Sequence, residues 1–253
     1  MRKGNGIAGL VTRLQGVKVG TPPALAGNSE TAAALPWDDA RVREILGPAA
    51  DPQPLAASRG LIFAMDATGS RARTWEKALQ VQGSMFSAFS KGLRVQLVYF
   101  RGGEFYASRW STDAAQLAEV MGSVRCMAGL TQIGRVLDHA FASAEHGGVT
   151  ALVHVGDCME ETREELAALA RKLAARGVKA FMFQEGDIPA AAAAFREIAQ
   201  LTRGAYCRLG DGSAAELKDL LSAAAAYAAG GTSGLAELAQ QKPAARLLLT
   251  QIR

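Results

Sequence analysis

Aromatic side chains are scarce in this chain, because Phe, Trp and Tyr together make up 6% of its 253 residues. Surfaces that bind single-stranded nucleic acid stack bases on aromatic rings, so this composition argues against such a surface. The net charge is only +4, and the Lys and Arg residues are scattered without a basic run. The chain therefore lacks the electrostatic pattern of a nucleic-acid-binding protein, and we expect no nucleic-acid partner.

Long apolar runs are also missing, since none approaches the roughly 18–20 residues that a membrane-spanning helix needs. Arg13 interrupts the first apolar segment before it reaches the length of a signal-peptide core. The three cysteines are an odd number without a CxxC pair, which favours free thiols in a reducing compartment over a disulfide or a zinc site. We therefore expect a cytoplasmic protein without a membrane span.

From residue 60 onward, short apolar strands alternate with helices. This alternation is typical of an α/β fold, a doubly wound and mostly parallel sheet with helices on both faces. The segment 104–110 alternates like a hairpin partner of the strand before it, which predicts one antiparallel edge strand. We divide the chain into a partly helical N-terminal extension (1–57), an α/β domain (58–229) with a helix at 73–91, and a C-terminal tail (230–253).

A buried strand leads directly into a cluster of oxygen ligands. The apolar run from Leu61 to Met65 is followed by Asp66, Thr68 and Ser70. Ligands of open α/β sheets bind at the carboxyl ends of the strands. Thr131 and Asp157 occur in loops that we place at the same end. Carboxylate and hydroxyl oxygens are hard ligands that suit Mg²⁺, so these residues predict a metal site, with turn-forming polar residues as the alternative.

Five segments, in order, resemble the von Willebrand factor A family. Met65 to Ser70 resembles the family signature Asp-x-Ser-x-Ser, with Thr68 in place of the first Ser. Three further segments resemble its hairpin, its Gly-Thr-x-Ile-Gly segment and the end of the strand with the last acid: 95–110, 129–134 and 154–157. The fifth, 195–206, resembles the closing helix and the strand after it. The resemblance covers residues 58–229.

The resemblance implies a metal-ion-dependent adhesion site that holds Mg²⁺ or Mn²⁺. By position, its ligands would be Asp66, Thr68, Ser70, Thr131 and Asp157, with the hydroxyls bound directly and one or both acids bound through water. An Asp or Glu of a protein partner would complete the shell. Bacterial members of this type often work inside the cell with ATPase or chelatase machinery. Two positions differ from the family pattern, because Gly156 replaces a hydroxyl residue and Cys158 replaces a glycine.

A second resemblance keeps an enzymatic alternative open. Residues 66–70 and 156–161 are also similar to motifs of the haloacid-dehalogenase-like phosphohydrolases, in which the first Asp is the nucleophile. Three features count against this family: Thr68 stands where the second acid belongs, Arg101 follows the second strand without a Ser or Thr, and the hairpin is antiparallel. We predict no catalytic centre, and we interpret His154 as a strand-packing residue.

Four acidic residues gather at the start of one predicted helix, and basic residues gather at its end. The acids are Glu160, Glu161, Glu164 and Glu165, and the bases are Arg171, Lys172 and Arg176. This polarity complements the helix dipole. We therefore predict that these charges lie on a solvent-exposed helix face and are not part of a site.

Overall fold

The structure is a computed structural model that describes residues 59–72, 93–210 and 213–252. The predicted N-terminal extension and the predicted helix at 73–91 lie outside these residues. Six strands form one sheet, and their bounds are β1 (Gly60–Asp66), β2 (Arg94–Arg101), β3 (Glu104–Ala107), β4 (Val149–Gly156), β5 (Lys179–Gln184) and β6 (Ala205–Arg208).

The strands are arranged in the order β3-β2-β1-β4-β5-β6. All neighbours are parallel except β2 and β3, which form the antiparallel hairpin. The chain adds β2 on one side of β1 and β4 on the other, so the order reverses between β1 and β4. Such a switch point opens a crevice at the carboxyl ends of the two strands. The predicted fold class, including the one antiparallel edge strand, is confirmed.

Six α-helices are described: α1 (Ala114–Ser123), α2 (Ile133–Glu145), α3 (Arg163–Ala175), α4 (Pro189–Leu201), α5 (Ser213–Ala239) and α6 (Pro243–Gln251). Successive residues of β1 point to opposite faces of the sheet, and both faces are covered. Leu61, Phe63 and Met65 pack in a core with α1, α5 and α6, whereas Ile62 and Ala64 pack in a second core with α2, α3 and α4. This double burial explains why β1 is a continuous apolar run instead of an alternating one.

The C-terminal segment 230–252, which the sequence predicts to be a tail, is helical and packs against the domain. The backbone of α5 breaks at Gly231, where φ is 64° and ψ is −153°, values that favour glycine. The chain then continues as helix and turns into α6. Leu235, Ala245 and Leu248 are fully buried in the same core as β1. The extent of the domain must therefore include this segment.

None of the helices in the described residues combines the length and the apolarity that a membrane span needs.

Candidate metal centre

The predicted ligands Asp66 and Asp157 lie at the switch point of the sheet. Asp66 is the last residue of β1, and Asp157 directly follows the last residue of the neighbouring β4. Parallel strands end at the same edge, so the topology brings these two carboxylates together although they are far apart in sequence. This edge is where an α/β fold of this kind is expected to bind a ligand.

Asp66 is a buried carboxylate, and one of its two oxygens accepts no hydrogen bond from the described residues. Its side chain is fully buried, and its Oδ1 accepts a hydrogen bond from the Thr68 backbone N–H at 2.7 Å. Its Oδ2 is buried without a hydrogen-bond partner among the residues that the structure describes. Burial raises the pKa of Asp66 above its ordinary value, although hydrogen bonds from Thr68 and the charge of Arg71 act against this. A buried carboxylate oxygen without a partner is costly unless a cation or another donor meets it.

Two hydroxyl groups connect the end of β1 with Asp157. The Oγ1 of Thr68 lies 3.2 Å from the Oγ of Ser70, and Ser70 Oγ donates to Asp157 Oδ1 at 3.1 Å. Ser70 lies in a 3-10 turn (Gly69–Arg71), and hydrogen bonds through Thr68 and Ser70 link Asp66 to Asp157. Four of the five predicted ligands form this group of oxygen atoms.

Thr131, the fifth predicted ligand, makes different hydrogen bonds. Its loop runs beside the motif, because Met127 pairs with Thr68 in a parallel bridge and donates its N–H to the Ala67 carbonyl at 3.0 Å. The Thr131 hydroxyl, however, donates to Glu161 Oε2 at 2.6 Å and accepts the Glu160 N–H at 3.0 Å. The structure thus places Thr131 near the motif in the fold but binds its hydroxyl to another segment.

Glu160 is exposed as predicted and Glu161 is half-buried, but the prediction that both lie on the helix face is wrong. Both residues precede α3, and their carboxylates bind the chain around the start of α2. Glu160 Oε2 accepts the Thr131 N–H at 2.6 Å, and Glu161 Oε1 accepts the Gly134 N–H at 3.0 Å. The first N–H groups of a helix lack partners within the helix, and a nearby carboxylate satisfies them. Glu164 and Glu165 do lie exposed in the first turn of α3.

Sequence reasoning missed a buried ion pair behind the carboxylates. Arg71 is 1% exposed and forms a double contact with Glu185, with Nη2 to Oε1 at 2.7 Å and Nε to Oε2 at 3.2 Å. Its Nη1 donates to the backbone carbonyls of Asp66 and Val155, so the guanidinium ties the ends of β1 and β4 together. The only signal in the sequence is a charged residue directly after a buried strand, Glu185 after β5.

His154 is buried beside this edge without a hydrogen bond. It is fully buried, and neither of its ring nitrogens has a partner within the described residues. The ring packs between Phe100, at a centroid distance of 6.1 Å, and Phe195, at 5.3 Å. Burial lowers the pKa of His154 to about 3, with the charge of Arg71 acting in the same direction. The side chain therefore packs as a neutral ring, which agrees with the strand-packing interpretation.

The position of His154 also explains why Gly156 stands where the von Willebrand factor A pattern has a hydroxyl residue. A Cβ atom on Gly156 would lie 2.8 Å from His154 Nε2 and 3.4 Å from the Cβ of Asp66. The first distance is too short for a real contact, so a hydroxyl residue at 156 would displace the buried histidine. Glycine at this position is a consequence of His154.

The oxygen atoms at this edge fit a hard divalent cation. Asp66 supplies a buried oxygen without a donor, and Thr68, Ser70 and Asp157 supply further oxygens close by. No group of three His, Cys, Asp or Glu side chains within the described part of the chain is placed to hold a metal ion. A cation would thus depend on the two hydroxyls and on water, which Mg²⁺ retains readily in proteins.

Comparisons with known proteins identify the fold. No family model matches the sequence, and no curated protein matches it significantly. Among solved structures, the von Willebrand factor type A protein from Catenulispora acidiphila is 17% identical with a TM-score of 0.55, over 68% of this chain and 43% of that one. The matched region thus spans less than half of that protein.

Two further structures are similar over nearly their whole length. The conserved hypothetical protein BatB from Bacteroides thetaiotaomicron is 17% identical with a TM-score of 0.54, over 72% of this chain and 100% of that one. The SpRpn10 VWA domain is 11% identical with a TM-score of 0.53, over 64% of this chain and 95% of that one. At such identities the similarity identifies the architecture alone. The chain has the fold of a von Willebrand factor A domain.

Proposed function

We propose that the domain binds a protein partner through a divalent cation, Mg²⁺ or Mn²⁺, held at the carboxyl ends of β1 and β4. The observation that carries this proposal is the buried Oδ2 of Asp66, which lacks a partner in the described region. Asp66, Thr68, Ser70 and Asp157 would hold the ion. Thr131 would join them only after its hydroxyl leaves Glu161, a bond of 2.6 Å. The cation supplies a positive centre to which an outside carboxylate can bind.

The surroundings of the site support a protein as the partner. Met127 and Leu130 are 46% and 68% exposed, and both lie in the loop that runs beside the motif. Large exposed apolar side chains beside a polar centre are typical of interaction surfaces. We propose that the partner contributes the Asp or Glu that completes the metal shell, and that it contacts these two side chains.

We further propose that the domain is a cytoplasmic adaptor and has no catalytic activity. Its three cysteines form no disulfide, which supports a reducing compartment. Burial raises the pKa of Cys126 and Cys207 to about 11, so neither thiol is activated as a nucleophile. A role beside intracellular ATPase or chelatase machinery of a bacterium is the form of adaptor that the family resemblance suggests.

The metal is tested by thermal denaturation with and without Mg²⁺ or Mn²⁺. At about ten times the dissociation constant, a bound ion stabilises by about 1.4 kcal/mol, which corresponds to about 3 °C in the melting temperature. We expect this shift in the wild type and its loss in Asp66→Asn, which retains the volume and the Oδ1 acceptor. Asp138→Asn, a change of the same charge on the exposed face of α2, should retain the shift.

The partner and the rival activity need separate measurements. In a pull-down from a bacterial lysate, partner binding should be lost with a chelator and in Asp66→Asn but not in Asp138→Asn. A wild-type protein without any divalent-ion effect would contradict the proposal. Turnover of a phosphate monoester that disappears in Asp66→Asn would instead identify a haloacid-dehalogenase-like phosphohydrolase with Asp66 as the nucleophile.

A further inference from the structure

A groove opens between the end of α4, the strand β6 and the end of α6. Its volume is about 640 Å³, which is within the range of about 300–1,000 Å³ found for small-molecule sites. Arg203 precedes β6, so the groove begins at the end of the parallel sheet opposite to Asp66. The side chains that matter for its chemistry are Arg196, Gln200, Arg203, Tyr206, Thr250 and Gln251.

The groove is positively charged. Arg196 and Arg203 both line it, and neither Asp nor Glu is found among its lining residues in the described part of the chain. Lys179 adds a third cation, because its Nζ donates to the backbone carbonyl of Arg203 at 2.8 Å. Two guanidinium groups in the wall of the groove, with one ammonium group beside Arg203, attract anions. Gln200 and Thr250 add neutral polar groups to the walls.

Arg203 has a backbone conformation that glycine would adopt more easily. Its φ is 56°, and it is the one residue other than glycine with a positive φ among the described residues. It follows the last turn of α4, the position where helices commonly end in a left-handed glycine. An arginine is less stable than glycine in this conformation. Here the Gln200 carbonyl accepts the Arg203 N–H at 3.1 Å and the Arg203 carbonyl accepts Lys179 Nζ; residues held in such conformations cluster at binding sites.

The wall of the groove is held in place before any ligand arrives. The hydroxyl of Tyr206 donates to the buried Gln184 Oε1 at 2.6 Å, and the Tyr206 N–H donates to Gln251 Oε1 at 3.0 Å. The guanidinium of Arg196 lies over the Tyr206 ring, 4.7 Å from its centroid. The exposed Arg196 guanidinium thus packs on a ring that two hydrogen bonds hold in place, which reduces the side-chain entropy lost when an anion binds.

We propose that this groove binds a small molecule that carries a phosphate or another multiply charged oxyanion group. The planar guanidinium presents paired N–H donors whose geometry matches two oxygens of a phosphate or a carboxylate. Arg196 and Arg203 bind the oxyanion, and the remaining volume accommodates the organic part of the ligand. The site is independent of the proposed metal centre.

The full-length chain is titrated with pyrophosphate, inorganic phosphate and citrate by calorimetry and by thermal shift. Metal is first removed with EDTA and the EDTA is then removed by desalting, because EDTA is itself a multiply charged carboxylate; NaCl at equal ionic strength serves as the salt control. We expect saturable binding of at least one of these anions, weakened at least 10-fold in Arg196→Gln and in Arg203→Gly. Arg171→Gln, which removes an exposed charge on α3 outside the groove, should bind as the wild type does.

Arg203→Gly separates binding from folding, because glycine relieves the backbone strain while it removes the guanidinium. Its melting temperature without anion should equal or exceed that of the wild type. Tighter binding of pyrophosphate than of citrate identifies a phosphate ligand, and the reverse identifies a carboxylate ligand; both results support the proposal. Wild-type affinity in both groove variants, or shifts no larger than those with NaCl, would overturn it.

Discussion

Arg71 shows how far a single residue can depart from its usual behaviour. Arginine is rarely fully buried, and the sequence around Arg71 contains nothing that predicts its 1% exposure. Its partner Glu185 is 114 positions away, so only the completed sheet brings the two together. Once formed, the pair neutralises a charge that would be very unfavourable alone in the core. Burial raises the pKa of Asp66, and the charge of Arg71 opposes this rise without cancelling it.

The buried His154 predicts a pH dependence of stability. Its pKa is lowered from 6.5 to about 3 in the folded protein, whereas the unfolded chain has the ordinary value. Below pH 6.5 the unfolded state therefore takes up a proton that the folded state does not, and stability falls until about pH 3. At pH 5 the loss amounts to about 2 kcal/mol. Urea denaturation of the wild type and of His154→Leu, at pH 7 and pH 5, measures it.

The free energy of unfolding of His154→Leu should fall by about 2 kcal/mol less than that of the wild type between pH 7 and pH 5. His146→Gln is the matched control, because His146 is exposed just beyond α2 and its replacement should leave the wild-type pH dependence unchanged. Equal pH dependence in the wild type and in His154→Leu would contradict the neutral, unpaired state of the buried ring.

At the scale of the element, Glu160 and Glu161, which precede α3, stabilise the start of α2 by accepting backbone N–H groups around it. Glu161 accepts the Gly134 N–H and the Thr131 hydroxyl, so one carboxylate caps the helix and holds the predicted ligand. Glu161→Gln leaves only one oxygen acceptor and removes the charge at the helix N-terminus. We expect a loss of about 1 to 2 kcal/mol in the free energy of unfolding, measured by urea denaturation.

Glu161→Gln should also change how the protein responds to Mg²⁺ at the proposed metal centre. It weakens the contact that keeps the Thr131 hydroxyl on Glu161, so the melting-temperature shift caused by Mg²⁺ should increase while the protein without metal becomes less stable. Glu237→Gln, an exposed change of the same type on α5, should alter neither quantity. A variant as stable as the wild type would show that Glu161 does not stabilise the start of α2.

The sequence predicted elements better than it predicted contacts between them. Strands buried on both faces are continuous apolar runs, so β1, β2, β4 and β5 were identifiable from local composition alone. The position of Asp66 at the carboxyl end of β1 also followed from this pattern. The hydrogen bond between Thr131 and Glu161 did not, because it depends on how two loops meet and no local pattern encodes that meeting.

At the scale of the molecule, α6 is part of the domain, and a pair of adjacent leucines tests this. Leu248 is fully buried in the core with β1, whereas Leu247 is 48% exposed. Leu248→Ala should reduce the free energy of unfolding by about 2 to 5 kcal/mol, because it leaves a cavity. Leu247→Ala should change it by less than about 0.5 kcal/mol.

Both values come from urea or thermal denaturation of the full-length chain. Similar small effects of the two substitutions would mean that residues 243–251 are a tail, as the sequence predicts. The glycines at 230 and 231 suggested an end because glycine usually terminates helices. Here Gly231 makes a turn instead, and Gly234 allows close packing, since a Cβ on it would lie 2.7 Å from the Ala226 carbonyl oxygen.

The contact between Gln251 and β6 also bears on how the sheet ends. An uncovered edge strand offers free N–H groups to a strand of another molecule and can begin aggregation. At β6, the Tyr206 N–H is already bound by Gln251 from α6. At the opposite edge, β3 has only four residues and begins with Glu104. Within the described residues, both margins of the sheet thus carry a feature that discourages the addition of a foreign strand.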